Sequence, residues 1–216
     1  MKIFIDTADT EAIRLYNSYG ILSGVTTNPS SIAKEGRDFK EIIAEILDIV
    51  DGVVFGEVIS PQADRMVEEA LELVKLSSRL EIIIPMCAEG LKAISALRRE
   101  GVRTNCTLIF TAAQAVLAAR AGASYVSVFV GRLGDTASCG AGLVGDIAKI
   151  FAAHGDSCQI IAADIRSPHH AAQCAKLGAH NAAIPPDVIG QMIAHPLTDA
   201  GIARFARDWE GLLERL

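Results

Sequence analysis

Two carboxylates end β-rich runs in this chain: Asp6 closes Lys2-Ile3-Phe4-Ile5-Asp6, and Glu57 closes Val53-Val54-Phe55-Gly56-Glu57. A carboxylate partly withdrawn from water has its pKa pushed toward the working range, so such a pair suits general acid/base catalysis. The plainer reading is that each only accepts hydrogen bonds from Thr27 or Asn28. Further runs end on neutral groups: Thr26, Thr27 and Asn28 in one, Asn105 and Thr107 in another, Ser127 with Phe129 in a third. Asn105, Thr107 and Ser127 suit the orienting of a hydroxylated substrate or a water. Arg132 and Arg166 follow late runs, and a guanidinium fork suits planar, multidentate phosphate binding. Asp164 precedes Arg166 by two residues, on the same face if the strand continues that far, where it would neutralise the arginine and repel an anion. Taken singly, a polar residue at a strand end is a capped loop residue. Convergence of six strands on one place makes catalysis or binding the better reading.

The elements that must hold these groups alternate from end to end. Eight β-rich runs cover 2–6, 22–27, 53–58, 81–85, 103–108, 125–129, 159–164 and 181–185. Amphipathic patterns lie between them at 9–19, 38–50, 61–76, 91–99, 111–121, 142–153, 167–177 and 187–193. Eight strand-helix units in series close most economically into one (β/α)8 TIM barrel, a fold of about 250 residues that extends down to about 200. The polar residues above then gather at the carboxyl ends of the strands, where barrel enzymes keep their active sites. A doubly wound open sheet is the alternative. Asp9 is an expected N-cap, and Gly20, Gly155 and Gly178 are expected helix stops. The stretch Gly131 to Gly142 is expected to be a loop, too short to divide domains. Beyond the barrel, Thr198 to Leu216 carries Ile202, Phe205, Trp209, Leu212 and Leu216 at helical spacing. This ninth helix packs either on its own barrel or on a neighbouring subunit.

Composition narrows the function classes. Half of the 216 residues are hydrophobic, enough for a substantial core. The net charge of -6, with both signs interspersed and no basic run, argues against nucleic acid as a partner. The N-terminus goes directly into the first strand, and no apolar segment reaches membrane-spanning length, so a cytoplasmic, membrane-free protein is expected. Five widely spaced cysteines without a C-x-x-C pair read as buried, reduced thiols. The five histidines fall in helices or loops and read as surface groups, so neither a metal site nor a cofactor is expected.

With these residues placed, the chain resembles the small transaldolase family, which includes the fructose-6-phosphate aldolases, over essentially its whole length. The resemblance rests on Phe4-Ile5-Asp6-Thr7-Ala8, Gly24-Val25-Thr26-Thr27-Asn28-Pro29-Ser30, Pro85-Met86 with Ala88-Glu89-Gly90-Leu91, and Asn105-Cys106-Thr107-Leu108-Ile109-Phe110. It continues through Ala113-Gln114-Ala115, Val130-Gly131-Arg132 and Arg166-Ser167-Pro168. It implies a class I aldolase or transaldolase barrel that forms a Schiff base between a fourth-strand lysine and a ketose. It also implies a homo-oligomer, a pentamer or a decamer, in which the C-terminal helix reaches a neighbour. By position Asp6, Glu57 and Thr107 would manage water and proton transfers, and Asn28, Asn105 and Ser127 would line a sugar or sugar-phosphate ligand. Arg132 and Arg166 match the phosphate-binding positions.

Three positions depart from that pattern. The family reads Lys-x-Pro where this chain reads Ile83-Ile84-Pro85, and isoleucine cannot form an imine. The seven lysines, Lys2, Lys34, Lys40, Lys75, Lys92, Lys149 and Lys176, occupy no other strand end. Asp164 replaces a common serine, and Cys87 a usual threonine. Three readings stay open from the sequence. The chain is an enzyme whose Asp6, Glu57 and Thr107 run lysine-independent acid/base chemistry on a ketose, sugar phosphate or polyol; or it is a non-catalytic sugar binder or assembly subunit; or Asp6, Glu57 and Asp164 hold a divalent metal that replaces the lysine as electrophile.

Overall fold

The computed structural model describes residues 1–136 and 139–213. Eight parallel strands close into a barrel in chain order: β1 (Lys2–Asp6), β2 (Gly24–Thr26), β3 (Val53–Glu57), β4 (Leu80–Pro85), β5 (Thr104–Ile109), β6 (Tyr125–Phe129), β7 (Gln159–Ala163) and β8 (Asn181–Ile184). Closure comes from the β1–β8 pairing, with Lys2 opposite Asn181 and Ile5 opposite Ile184. The helices are α1 (Thr10–Ser18), α2 (Pro29–Glu35), α3 (Phe39–Ile49), α4 (Ala63–Val74), α5 (Ala88–Arg99), α6 (Ala112–Ala121), α7 (Val130–Asp135), α8 (Gly140–His154), α9 (Pro168–Lys176), α10 (Pro186–Ile193) and α11 (Pro196–Leu213). The expected (β/α)8 barrel with an extra C-terminal helix is the fold found.

The strands alternate two kinds of surface, as period-two side chains must. One set, including Ile5, Val25, Val54, Ile82, Ile84, Val126, Ile160 and Ile184, joins the helices in the large core. The other set points into the barrel, where Phe4, Phe55, Ile83, Tyr125, Ile161, Ala163 and Ala183 pack together. Phe55 meets Phe4 and Tyr125 edge to face, each pair at 5.4 Å between centroids, and fills the barrel with aromatic volume. This plug puts the inward residues further along each strand at the open carboxyl end. Asp6, Glu57 and Ser127, each two residues past a plug residue, are placed by that arithmetic.

Local chemistry explains the helix ends. Asp9 caps α1 by accepting from the amides of Glu11 and Ala12, and Gly155 ends α8 in the left-handed region at φ 62°. Two helices were not anticipated. No helix was expected between the runs at 22–27 and 38–50, yet Asn28 and Ser31 form a capping box and Pro29 enters α2 at its first turn, where a missing N–H costs nothing. The expected loop over Gly131 to Gly142 contains α7 and the start of α8, because β6 passes directly into a helical turn. Leu216 of the expected C-terminal stripe lies outside the described residues. Three cysteines, Cys106, Cys158 and Cys174, are buried as expected, whereas Cys87 and Cys139 are exposed. Each of these two caps a helix, its Sγ accepting from Gly90 N or Gly142 N at 3.2 Å, a task that keeps it at the surface.

Helix α11 stands apart from the rest. None of its described residues is buried, and Leu197, Ile202, Phe205 and Trp209 are each more than 60% exposed. Packing of this stripe on its own barrel, one of the two expectations, is therefore not what is found. No described helix is long and apolar enough to cross a membrane.

Candidate active site

A cavity of about 400 Å³ opens at the carboxyl end of the barrel. It draws together Asp6, Thr26, Thr27, Asn28, Glu57, Ile83, Asn105, Thr107, Ser127, Phe129, Arg132 and Asp164, which is every expected site residue except Arg166. Sheet register explains the grouping. Glu57 is opposite Ile83 across β3 and β4, and Ile83 is opposite Asn105 across β4 and β5, so the three stand side by side on the inner wall. Asp6 enters from β1, opposite Thr26.

The carboxyls of Asp6 and Glu57 are both shifted on this wall. Burial first, and then the charge of nearby Asp164, raises the Asp6 pKa from 3.8 to about 6. Burial and then the charge of Asp6 raise Glu57 from 4.5 to about 7. The two are coupled, so the apparent values belong to the pair. Near neutral pH the favoured arrangement is an ionised Asp6 beside a substantially protonated Glu57.

Neutral groups complete the cavity with defined polarity. Ser127 Oγ donates to Asn105 Oδ1 at 2.9 Å, which leaves the Asn105 amide N–H groups available to a substrate oxygen. Thr27 Oγ1 donates its proton to the Phe55 carbonyl at 3.0 Å and keeps only acceptor capacity for a ligand. Asn28 Oδ1 is committed to the Ser31 amide at 2.9 Å, so its primary task is holding α2. The plainer reading of Thr27 and Asn28 as partners of the carboxylates is replaced: the Thr27 hydroxyl donates to a carbonyl, and the shifts of Asp6 and Glu57 come from burial and charge, with no hydrogen bond from Asn28.

Ile83 is 4% exposed and packs within the inner apolar cluster. No lysine lines the cavity among the described residues: Lys2 begins β1, and Lys34 lies in α2. Among the described residues no group of three or more His, Cys, Asp and Glu side chains is arranged to hold a metal ion.

The two arginines part company. Arg132 lines the cavity with its guanidinium 4.9 Å from the Phe129 ring centroid, a cation–π stack. Arg166 does not line it. Its Nε and one terminal nitrogen donate to both oxygens of Asp164, at 3.1 and 2.9 Å. Its other terminal nitrogen donates to both oxygens of Asp135, at 2.7 and 2.9 Å. The strand expected to reach Asp164 ends at Ala163, and Asp164 takes φ 58°, so a left-handed turn, not strand alternation, aims its carboxylate at Arg166. Sequence reasoning missed Asp135, which lies 31 residues from its partner in a helix read as loop. It also missed Pro29, Ser30, Leu108, Ala163 and Ala183 on the wall, of which Leu108 carries a sequence-invisible positive φ of 61°.

Comparison with known proteins agrees with this geometry. Residues 3–216 match the transaldolase/fructose-6-phosphate aldolase family. A probable transaldolase of Clostridium botulinum (strain Eklund 17B / Type B) is 59% identical over 212 residues, covering 98% of this chain and 99% of the relative. A probable transaldolase of Symbiobacterium thermophilum is 56% identical over 216 residues and 100% of both chains. One from Methanococcus maripaludis is 52% identical over 215 residues, again 100% of both. The chain belongs to the transaldolase/fructose-6-phosphate aldolase family. More distant solved structures share the fold alone. A mandelate oxidase variant superposes with TM-score 0.60 at 15% identity, and a flavocytochrome b2 variant with TM-score 0.64 at 11%. Each covers 86% of this chain, which spans 64% and 57% of those two chains respectively.

Proposed function

We propose that this family member acts on a ketose by acid/base proton transfer through Asp6 and Glu57, without a Schiff base. The observation that carries this reading is the pairing of two carboxyl groups of raised pKa in one cavity whose fourth-strand wall is the apolar Ile83. With no amine there, the carbonyl must be activated by hydrogen bonds and a proton. Ionised Asp6 removes a proton from the carbon next to the carbonyl, while protonated Glu57 gives its proton to the carbonyl oxygen. The product is an enediol, and return of a proton at the neighbouring carbon or the opposite face yields an isomer or an epimer. In this reading Asn105 and Thr107 donate to the oxygen that gains charge and Ser127 accepts from a substrate hydroxyl, supported by their presence on the cavity wall and by the Ser127–Asn105 hydrogen bond.

The exposed stripe of Leu197, Ile202, Phe205 and Trp209 on α11 supports a second element of the reading, a homo-oligomer in which this helix docks on a neighbouring copy. An amphipathic helix with no barrel of its own to cover loses that apolar area to water until a partner takes it up.

The catalytic reading is tested by proton NMR of fructose incubated with the protein in heavy water. Loss of the C1 or C3 proton signals, abolished in Asp6→Asn and Glu57→Gln, is the expected result. No exchange by the wild-type protein, with ligand binding retained, would overturn it in favour of a non-catalytic sugar binder.

A further inference from the structure

The family resemblance would make Arg166 a phosphate ligand, but its surroundings oppose that use. All three guanidinium nitrogens already donate to carboxylates, two of them to Asp164 and one to both oxygens of Asp135. Asp164 stands on the cavity side of this pair, since it lines the wall and Arg166 does not. A phosphate dianion would have to strip a bidentate carboxylate from Arg166 and then sit against the displaced charge.

The arrangement is built into the backbone. Asp164 holds a left-handed conformation, which Asp and Asn tolerate better than most residues. Gly131, at the start of α7, faces it with no side chain, and a Cβ there would collide with the Asp164 carbonyl, its carboxylate and Arg166 Nε. The glycine thus provides the room in which the carboxylate and guanidinium lie against the helix.

Charge on the wall points the same way. Asp6, Glu57 and Asp164 line the cavity against one cation, Arg132, whose guanidinium lies over Phe129. With Asp6 and Asp164 ionised and Glu57 substantially protonated, two negative charges face one positive, and the Asp135–Arg166 pair behind them adds none.

From this we infer that the site takes an unphosphorylated ketose or polyol, and favours one carrying an amine, over a phosphate ester. Asp164 is the residue that sets this preference. The inference rests on the reading of the cavity as a sugar site, but it concerns binding and needs no turnover.

Dissociation constants measured by ligand-detected NMR for fructose, fructose 6-phosphate and 1-amino-1-deoxysorbitol at low ionic strength test it. The wild-type protein is expected to bind the aminopolyol most tightly, and fructose at least tenfold tighter than its phosphate. Asp164→Asn, which keeps the left-handed backbone and the size of the side chain, is expected to shift the fructose-to-phosphate ratio at least tenfold toward the ester. An ester bound as tightly as fructose by the wild-type protein, a ratio unmoved in Asp164→Asn, or no binding of any probe would each overturn the inference. A ratio that holds while heavy-water exchange fails would remove the proposed chemistry and leave the ligand class standing.

Discussion

Glu57 and Ile83 face each other across β3 and β4, a carboxyl beside a branched alkane at the barrel mouth. The family resemblance leads one to expect an amine at position 83, and an ammonium there would pull the Glu57 pKa down. With isoleucine in its place, burial and the charge of Asp6 act without that counterweight and raise Glu57 to about 7. On the proposed reading, one side-chain difference both removes a nucleophile and leaves a carboxyl able to act as an acid near neutral pH. The chemistry proposed for this site depends on both effects.

Removing either carboxyl should separate activity from stability. Asp6→Asn and Glu57→Gln are each expected to lower exchange or turnover by about 10²–10⁴-fold, the usual worth of a general acid or base. Asp6→Asn should at the same time raise stability at pH 7, because it deletes a charge held in a poorly solvated place. Its carboxyl moves from 3.8 to about 6, so the gain is on the order of 1–3 kcal/mol. Denaturant titration beside the kinetic assay checks both; wild-type rates in both variants would remove the pair from the mechanism.

Stability should also fall as pH rises through the titration of these groups. Between about pH 4 and 7 the folded protein keeps protons on Asp6 and Glu57 that the unfolded chain has released. The unfolded state binds fewer protons in that window, so the unfolding free energy declines with increasing pH. Their contribution is fully present below about 4 and is lost by the time pH passes about 7. Other carboxyls are shifted the opposite way, Glu45 and Glu69 among them, and so the comparison must be a difference. The stability of wild-type minus the Asp6→Asn/Glu57→Gln double variant is expected to decrease from pH 4 to 8. A difference that is flat or rising would contradict the assigned shifts.

Activity should follow a bell with apparent pKa values near 6 and 7 that belong to the coupled pair, because one carboxyl must be ionised and the other protonated. A rate that keeps climbing to pH 9 would point to a base of higher pKa.

Truncation tests the role of α11. Deleting residues 196–216 removes no described buried side chain, so the barrel should stay folded by circular dichroism while the subunit number falls. Light scattering reads the outcome directly. An unchanged oligomer would show that assembly uses another surface.

The barrel itself was legible because β-rich runs alternate with amphipathic patterns eight times, with polar residues at the ends of six of the runs, and that arrangement leaves few topologies. Asp6, Glu57 and Asn105 could be assigned to one cavity for the same reason, since strand ends of a barrel converge. What stayed hidden depends on contacts distant in sequence or on backbone conformation. The Asp135–Arg166 contact spans 31 residues, and Asp135 sits in a six-residue helix with two glycines that no propensity argument favours. Pairing of Asp164 with Arg166 was anticipated from their spacing, but the left-handed turn that produces it was not. The position of α11 was undecidable from its stripe alone, because an apolar face does not say which surface covers it.

The most direct test of the account is intact-mass spectrometry after incubation with fructose 6-phosphate or dihydroxyacetone under borohydride, with Ile83→Lys measured alongside. Reduction fixes any imine as a mass increment. The account predicts no adduct on the wild-type protein and an adduct on Ile83→Lys with dihydroxyacetone, a small uncharged ketose. An adduct on the wild-type protein would contradict it, since an amine elsewhere would then be carrying out the Schiff-base chemistry that Ile83 cannot.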